Sequence, residues 1–136
     1  MNYLLDTNVC IALINSSSAS VRARFTQATQ RKAPIATSSI VAHELWYGVA
    51  KSQLADQNAR ALTAFLSRNI AVLDYTERDA QAAGEIRAEL EREGQRIGEY
   101  DTLIAGQAFA RNLILVTGNT REFARVKGLV VEDWTI

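Results

Sequence analysis

The sequence is poor in cysteine and proline and has no excess of either charge. Its one cysteine, Cys10, has no partner for an intrachain disulfide, so a reducing, cytoplasmic compartment fits best. Fifteen acidic and 15 basic residues give a formal net charge of zero. This balance argues against a protein that holds nucleic acid mainly by bulk positive charge. It leaves room for an enzyme that contacts one short stretch of RNA.

Long apolar runs are absent as well. No stretch approaches the roughly 18 consecutive apolar residues of a membrane span. The opening residues lack the basic start and the apolar block of a secretory signal, so we expect a soluble protein without membrane contact. With 136 residues, 48% of them hydrophobic, and neither a linker nor a repeat, the chain is expected to form a single domain over residues 1–136.

Short apolar segments alternate with helical patterns along the chain. The segments predicted as strands are residues 3–5, 35–37, 70–73, 113–116 and 129–131. Helices are predicted at about 8–14, 20–30, 59–66 and 100–111, after Ser38 or Ser39, and between Thr76 and Gly94. Apolar strands that alternate with helices are typical of a parallel sheet covered on both faces. The predicted fold class is therefore α/β, with a central five-stranded parallel sheet flanked by helices on both faces.

Three acids fall at one edge of this predicted sheet. Asp6 directly follows the first strand, and Glu44 lies in the first turns of the helix that leaves the second strand. Asp101 begins the helix that leads back into the fourth strand, so its first turn lies at the same edge. Ligands of open α/β sheets bind in the crevice outside the carboxyl ends of the strands. We therefore predict that these carboxylates converge there.

Carboxylates brought together repel one another, and a bound cation is the usual remedy. Oxygen ligands without histidine or cysteine favour Mg²⁺ or Mn²⁺ over zinc. Such an ion can position a phosphate, activate a water and stabilise the leaving oxygen. The pattern therefore indicates phosphodiester hydrolysis.

Each acid also has a purely structural interpretation. Asp6 could cap the first helix, and Glu44 could be an ordinary surface acid. Asp101 could favour the positive end of its helix. The coincidence of all three at one edge favours a functional site.

The remaining reactive and aromatic side chains are assigned structural roles. His43 is interpreted as a packing or surface residue and Cys10 as a small core residue. Trp46, Tyr47 and Trp134 are interpreted as core or subunit contacts rather than as platforms on which bases stack.

Several segments resemble PIN domains, and the VapC toxins in particular. Residues Leu4–Asn8 resemble the opening motif of PIN domains, and Ser38–Gly48 resembles their second motif, which is centred on Glu44. The other segments typical of VapC toxins are residues 84–90, 97–106, 116–123 and 131–134. The likeness covers nearly the whole chain, with the motifs in order.

The resemblance implies a PIN domain that binds Mg²⁺ or Mn²⁺ and acts as an endoribonuclease. Matched position by position, Asp6, Glu44 and Asp101 are the predicted catalytic residues and metal ligands. Many PIN domains carry a fourth acid just after the fourth strand, where this chain has Asn119. Glu122 is predicted to supply the missing carboxylate as a further metal ligand, and the number of ions, one or two, stays open.

Polar neighbours are predicted to orient these ligands. They are Thr7, Asn8, Thr117 and Asn119. In the hypothesised mechanism, Asp6 and Asp101 hold the metal directly, and Glu44 is a further ligand or a base that orients the attacking water.

The resemblance also implies partners. VapC toxins are blocked by a VapB antitoxin, whose tail carries a basic side chain into the active site, and they typically form homodimers. Their complexes bind promoter DNA through the antitoxin, so we expect this chain not to bind it alone. The expected substrate is structured RNA, with the anticodon loop of a tRNA first and a ribosomal RNA loop next.

Two other functions stay open. A receiver-type phosphotransfer module is also small, α/β and Mg²⁺-binding, and Asp74 follows the third strand, but only Asp6 stands where that module needs adjacent acids. The second is a PIN-like scaffold that binds RNA or protein without cutting, which Asn119 favours.

Overall fold

The computed structural model describes residues 2–136 and places a parallel sheet at the centre of the chain. Its strands are β1 (Tyr3–Leu5), β2 (Ile35–Ser38), β3 (Ala71–Leu73), β4 (Ile114–Val116) and β5 (Val131–Glu132). They pair in the order β3-β2-β1-β4-β5, and every pair is parallel. The predicted α/β class and five-stranded parallel sheet are confirmed.

Helices fill the connections between the strands. They are α1 (Thr7–Asn15), α2 (Ala19–Gln30), α3 (Ser39–Lys51), α4 (Ala55–Leu66), α5 (Glu77–Arg92), α6 (Glu99–Ala110) and the short α7 (Thr120–Phe123). From β1 the chain runs to β2 and β3, and it then returns to β4 on the other side of β1. With right-handed crossovers, this reversal places α1–α4 on one face and α5–α6 on the other. Within residues 2–136, no helix is both long and apolar enough to span a membrane.

Two of the predicted strands differ from the structure, the fifth in its position and the third in its burial. The fifth strand was expected at residues 129–131 but lies at Val131–Glu132. The chain leaves α7 through a turn with a positive φ at Gly128, and it first bonds β4 where the Val130 carbonyl accepts from Leu115. Apolar character at Leu129 therefore reflects packing and not strand pairing. In β3, Ala71 and Val72 are exposed because this strand is the edge of the sheet.

The core forms around the two central strands. Leu4, Leu5, Leu115 and Val116 are completely buried in β1 and β4. Leu5 pairs with Val116, so the residues that follow them emerge side by side at the carboxyl edge. This register positions the beginning of the site.

A close helix contact fixes α6 against α5. A Cβ built on Gly106 would lie 2.6 Å from the Cα of Ala83, so only glycine allows this approach. At the end of α6, Arg111 pairs with the completely buried Asp79 of α5 at 2.9 Å. The position of α6 matters because its first turn carries Asp101.

Candidate active site

Asp6 and Thr117 meet at the carboxyl ends of the central strands. The Thr117 hydroxyl donates to Oδ2 of Asp6 at 2.7 Å, and Oδ1 of Asp6 accepts the backbone N–H of Thr7 at 2.7 Å. Asp6 is therefore the N-cap of α1 and is almost completely buried. Asp6 therefore caps α1 through one carboxylate oxygen and contacts Thr117, at the carboxyl end of β4, through the other.

Glu44 joins this pair through Thr7. The Thr7 hydroxyl donates to Oε1 of Glu44 at 2.8 Å, across the gap between α1 and α3. Ser38 caps α3 by accepting the N–H of Ile40, which begins the helix directly after β2. Because the cap fixes where α3 begins, it also fixes the direction in which Glu44 projects, which is toward Thr7 at the carboxyl edge. The second carboxylate oxygen of Glu44 forms no hydrogen bond among residues 2–136.

Asn119 connects the remaining two acids. Its side-chain amide donates to Oε2 of Glu122 at 3.0 Å and to Oδ2 of Asp101 at 3.5 Å. Its backbone N–H donates to the Thr117 hydroxyl at 3.0 Å. One hydrogen-bonded network thus runs through Glu44, Thr7, Asp6, Thr117, Asn119, Asp101 and Glu122. We call these seven residues the acid network.

The acid network is electrostatically uncompensated. Burial and, after it, the charges of Asp6, Glu122 and Glu44 together raise the pKa of Asp101 to about 6, against a lowering by the hydrogen bond from Asn119. Burial also raises the pKa of Asp6, although hydrogen bonds from Thr117 and Thr7 lower it in part. Within residues 2–136, no lysine or arginine forms a salt bridge with these carboxylates.

The donors present fit a hard divalent cation. Every charged group of the acid network is a carboxylate, which suits Mg²⁺ or Mn²⁺. In the part of the chain that the structure describes, no three acidic, histidine or cysteine side chains cluster closely enough to complete a metal centre alone. This spacing suits an ion that takes one or two carboxylates and fills its other positions with water and substrate phosphate.

Not every predicted residue joins the network. Thr7, Thr117 and Asn119 contact the acids directly, as described above. Asn8 is exposed, and the structure records no hydrogen bond from its side chain to an acid, so its role stays a prediction. His43 and Tyr100, which precede Glu44 and Asp101 in the sequence, contact each other. This contact was not predicted from the sequence, because the contact depends on how α3 and α6 cross.

A groove lies next to Glu44. It has a volume of about 430 Å³ between α1, α3 and α4. Apolar side chains such as Ile11, Leu45 and Leu62 line it together with polar ones, among them Glu44 and Asn58. A groove lined by apolar side chains and an acid can accept an amphipathic segment that carries a basic residue.

Comparisons with known proteins identify the family of the chain. The PIN domain model matches residues 3–129. The chain is 47% identical to the tRNA(fMet)-specific endonuclease VapC of Shigella flexneri over 99% of both chains. It is 43% identical to the enzyme of that name in Salmonella typhimurium over 98% of both.

Solved structures agree as well. A chain in the crystal structure of VapBC2 from Rickettsia felis, bound to a promoter DNA fragment, superposes with a TM-score of 0.92 at 42% identity. The match covers 98% of this chain and 99% of that one. Because sequence and fold both match along the chain, it belongs to the PIN-domain family and, within it, to the VapC ribonucleases.

Proposed function

We propose that this chain is the toxin of a VapBC pair and cleaves phosphodiester bonds in tRNA with the help of Mg²⁺ or Mn²⁺. The observation that carries the proposal is the acid network, whose carboxylates are joined at one sheet edge and form no salt bridge with a basic side chain of residues 2–136. The whole of residues 1–136 is proposed to form a single PIN domain that works in the cytoplasm, where tRNA is found.

Asp6 and Asp101 are the proposed direct ligands of the ion, and Glu44 and Glu122 are proposed as further ligands that reach it through bound water, because no three acidic side chains of residues 2–136 cluster closely enough to hold it alone. When bound, the ion positions the scissile phosphate and stabilises the charge that develops on the leaving oxygen. Thr7 fixes the orientation of Glu44 through Oε1, which leaves Oε2 to accept a proton from the attacking water.

The threonines and the asparagine keep the carboxylates in place. Thr117 holds one oxygen of Asp6 and leaves that carboxylate little rotational freedom. Asn119 stands where many PIN domains have a fourth acid, and its amide donates to both Asp101 and Glu122. We propose that Glu122 supplies the negative charge that the fourth acid would otherwise supply.

The first substrate to test is initiator tRNA, because two relatives over 40% identical are named as tRNA(fMet)-specific endonucleases. The proposed site of cleavage is the anticodon loop, whose unpaired nucleotides expose the backbone more than a helix does. A ribosomal RNA loop is the next substrate to test.

The proposed partner is a VapB-type antitoxin. Its basic side chain would enter the uncompensated acid network, and its apolar residues would occupy the groove beside Glu44. Promoter DNA would be bound only through the antitoxin, as the neutral net charge of this chain favours. Sequence-selective binding of operator DNA by the isolated chain in a gel shift would contradict this.

A homodimer is also proposed. Trp46 and Tyr47 are 41% and 61% exposed on α3, and large exposed aromatics are enriched at protein interfaces. Trp134, in contrast, is buried against Tyr3 in the core. Sedimentation of the chain and of a Tyr47→Ser variant tests the dimer.

The decisive experiment incubates total tRNA with the purified chain in Mg²⁺, Mn²⁺ or EDTA, beside Asp101→Asn purified in the same way. Discrete fragments that require both the metal and Asp101 are the expected result. Equal cleavage by wild type and variant, or in EDTA, would reject the assigned site.

A non-cutting scaffold is the second candidate, and the neutral Asn119 is the observation that favours it. Intact tRNA and ribosomal RNA in every lane, with binding retained, would support it. The receiver-type alternative does not fit the family to which the chain belongs.

A further inference from the structure

Two exposed rings, those of Tyr100 and His43, contact each other at positions next in sequence to acids of the network. The Tyr100 hydroxyl lies 3.4 Å from Nε2 of His43, and the ring centroids are 5.7 Å apart with planes tilted by 48°. Tyr100 precedes Asp101 on α6, and His43 precedes Glu44 on α3. The pair therefore links α3 and α6, the helices that carry Glu44 and Asp101.

The ring pair contributes little to the core. Tyr100 is 47% exposed, and His43 is also exposed. The cation–π contacts among residues 2–136 involve other rings, for example Tyr47, which Lys51 covers at 4.8 Å. The outer surface of the Tyr100 ring is therefore available to a ligand.

We propose that Tyr100 and His43 form a platform on which an unpaired RNA base next to the scissile phosphate stacks. This inference rests on the proposed cleavage of RNA. It assigns to this chain a base-binding position outside the acid network.

Charge explains why RNA binding needs such a platform here. The net charge is zero, and the acid network repels phosphate until a cation is bound. Attraction to the phosphate backbone, which usually dominates affinity for nucleic acid, is correspondingly weak. Stacking on an aromatic ring is independent of charge and of base identity, and it is the usual way in which proteins hold unpaired bases.

The position of the pair favours an RNA base over a second copy of the chain. Each ring is one residue from an acid of the network, so a base stacked there keeps its phosphate near the carboxylates. The more apolar surface, at Trp46 and Tyr47, lies further along α3 and is assigned to self-association.

The test compares Tyr100→Ala, Tyr100→Phe and the control Phe109→Ala in steady-state cleavage of a synthetic loop RNA. Phe109 lies near the opposite end of α6 and is 48% exposed, which matches Tyr100. Tyr100→Ala is expected to raise KM about tenfold with kcat within twofold, because stacking holds ground state and transition state alike. Tyr100→Phe, which keeps the ring, and the control are expected to stay within twofold of wild type.

A second substrate identifies the stacked base. RNAs that lack single bases near the cut are expected to raise KM for wild type at one position, and that increase should vanish in Tyr100→Ala. Equal increases in both proteins would overturn the platform, as would an unchanged KM in Tyr100→Ala. A Tyr100→Ala variant that sediments as a smaller species, and whose KM equals that of wild type when both proteins are assayed as monomers, would assign the ring pair to self-association and overturn the platform. Failure of wild type to cut any RNA would instead reject the proposed function.

Discussion

Two carboxylates at opposite ends of α6 lie in opposite electrostatic surroundings. Arg111 donates to both oxygens of Asp79, at 3.2 and 2.9 Å, and Thr76 and Gln107 donate as well. Among residues 2–136, the side chain of Asp101 accepts only the 3.5 Å contact from Asn119, and other carboxylates lie nearby. One acid is neutralised inside the fold, and the other is not.

The two pKa values shift in opposite directions for this reason. Burial raises the pKa of Asp79, but hydrogen bonds from Arg111 and Thr76 and the charge of Arg111 lower it below its ordinary value overall. Burial and neighbouring carboxylates raise the pKa of Asp101 to about 6. A buried acid with an internal partner stabilises the fold, whereas acids left without one favour a cation or basic group from outside.

The largest expected effect is on catalysis at Glu44. Glu44→Gln keeps the hydrogen bond from Thr7 but removes the charge and the proton acceptor. We expect the cleavage rate to fall by about 100-fold or more, since general-base catalysis contributes about 10²–10⁴-fold. Single-turnover cleavage measures this, with the exposed Glu85→Gln on α5 as the control. A Glu44→Gln rate within threefold of wild type would remove Glu44 from the chemistry.

Loss of the ion pair between Arg111 and Asp79, at the end of α6, should lower the stability of the fold. Arg111→Ala leaves the charge of Asp79 buried and unpaired, so the free energy of unfolding should fall by about 3 kcal/mol. The exposed pair of Arg92 and Glu89 provides the comparison, and Arg92→Ala should have little effect on stability because solvent screens this pair. Urea denaturation measures both. Similar losses for the two variants would show that the buried pair has no special weight.

A smaller effect is expected where α6 packs on α5. Gly106→Ala forces a methyl group into the backbone of Ala83, which should cost about 1–3 kcal/mol and lower activity by moving Asp101. Gly84→Ala, with nothing within 4 Å of the added methyl, should be neutral or stabilising by less than about 1 kcal/mol. Thermal unfolding and cleavage rates check the pair. If Gly106→Ala loses stability but no activity, α6 does not need this contact to position its acid.

The smallest expected effect is a change of stability with pH, in which stability first rises and then falls as the pH is lowered. In EDTA, lowering the pH from about 7 to 5 protonates Asp101 in the folded chain before it does so in the unfolded chain. Stability should therefore rise, by about 1 kcal/mol after allowance for solvent screening. Below the ordinary value of 3.8 the trend should reverse, because Asp79 stabilises the fold only while it is ionised. Urea midpoints at each pH measure this, and Asp101→Asn should lack most of the rise.

Much of the sheet and the locations of its acids could be predicted from local signals. Residues 3–5 and 113–116 are unbroken apolar runs, and a parallel sheet requires that the residues after such strands share an edge. Asp6 and Thr117 follow from that rule and from the register of Leu5 with Val116. The Thr76–Asp79 capping box was equally readable, because a cap depends on residues three apart.

Contacts between distant helices could not be predicted in the same way. Arg111 pairs with Asp79 only because Gly106 allows α6 to lie close to α5, and one sequence does not reveal that approach. The contact between Tyr100 and His43 likewise depends on the crossing of α6 and α3. The fifth strand was misplaced because apolar character indicates burial and does not specify pairing.

Binding of a divalent cation by the acid network is the property on which the proposed catalysis depends most directly. Calorimetric titration of Mn²⁺ into the metal-free protein, Asp101→Asn and Arg111→Ala tests it. We predict saturable binding to wild type and to Arg111→Ala at a temperature where that variant is folded, and at least tenfold weaker binding to Asp101→Asn. Equal binding by wild type and Asp101→Asn, or no saturable binding to wild type, would contradict the account.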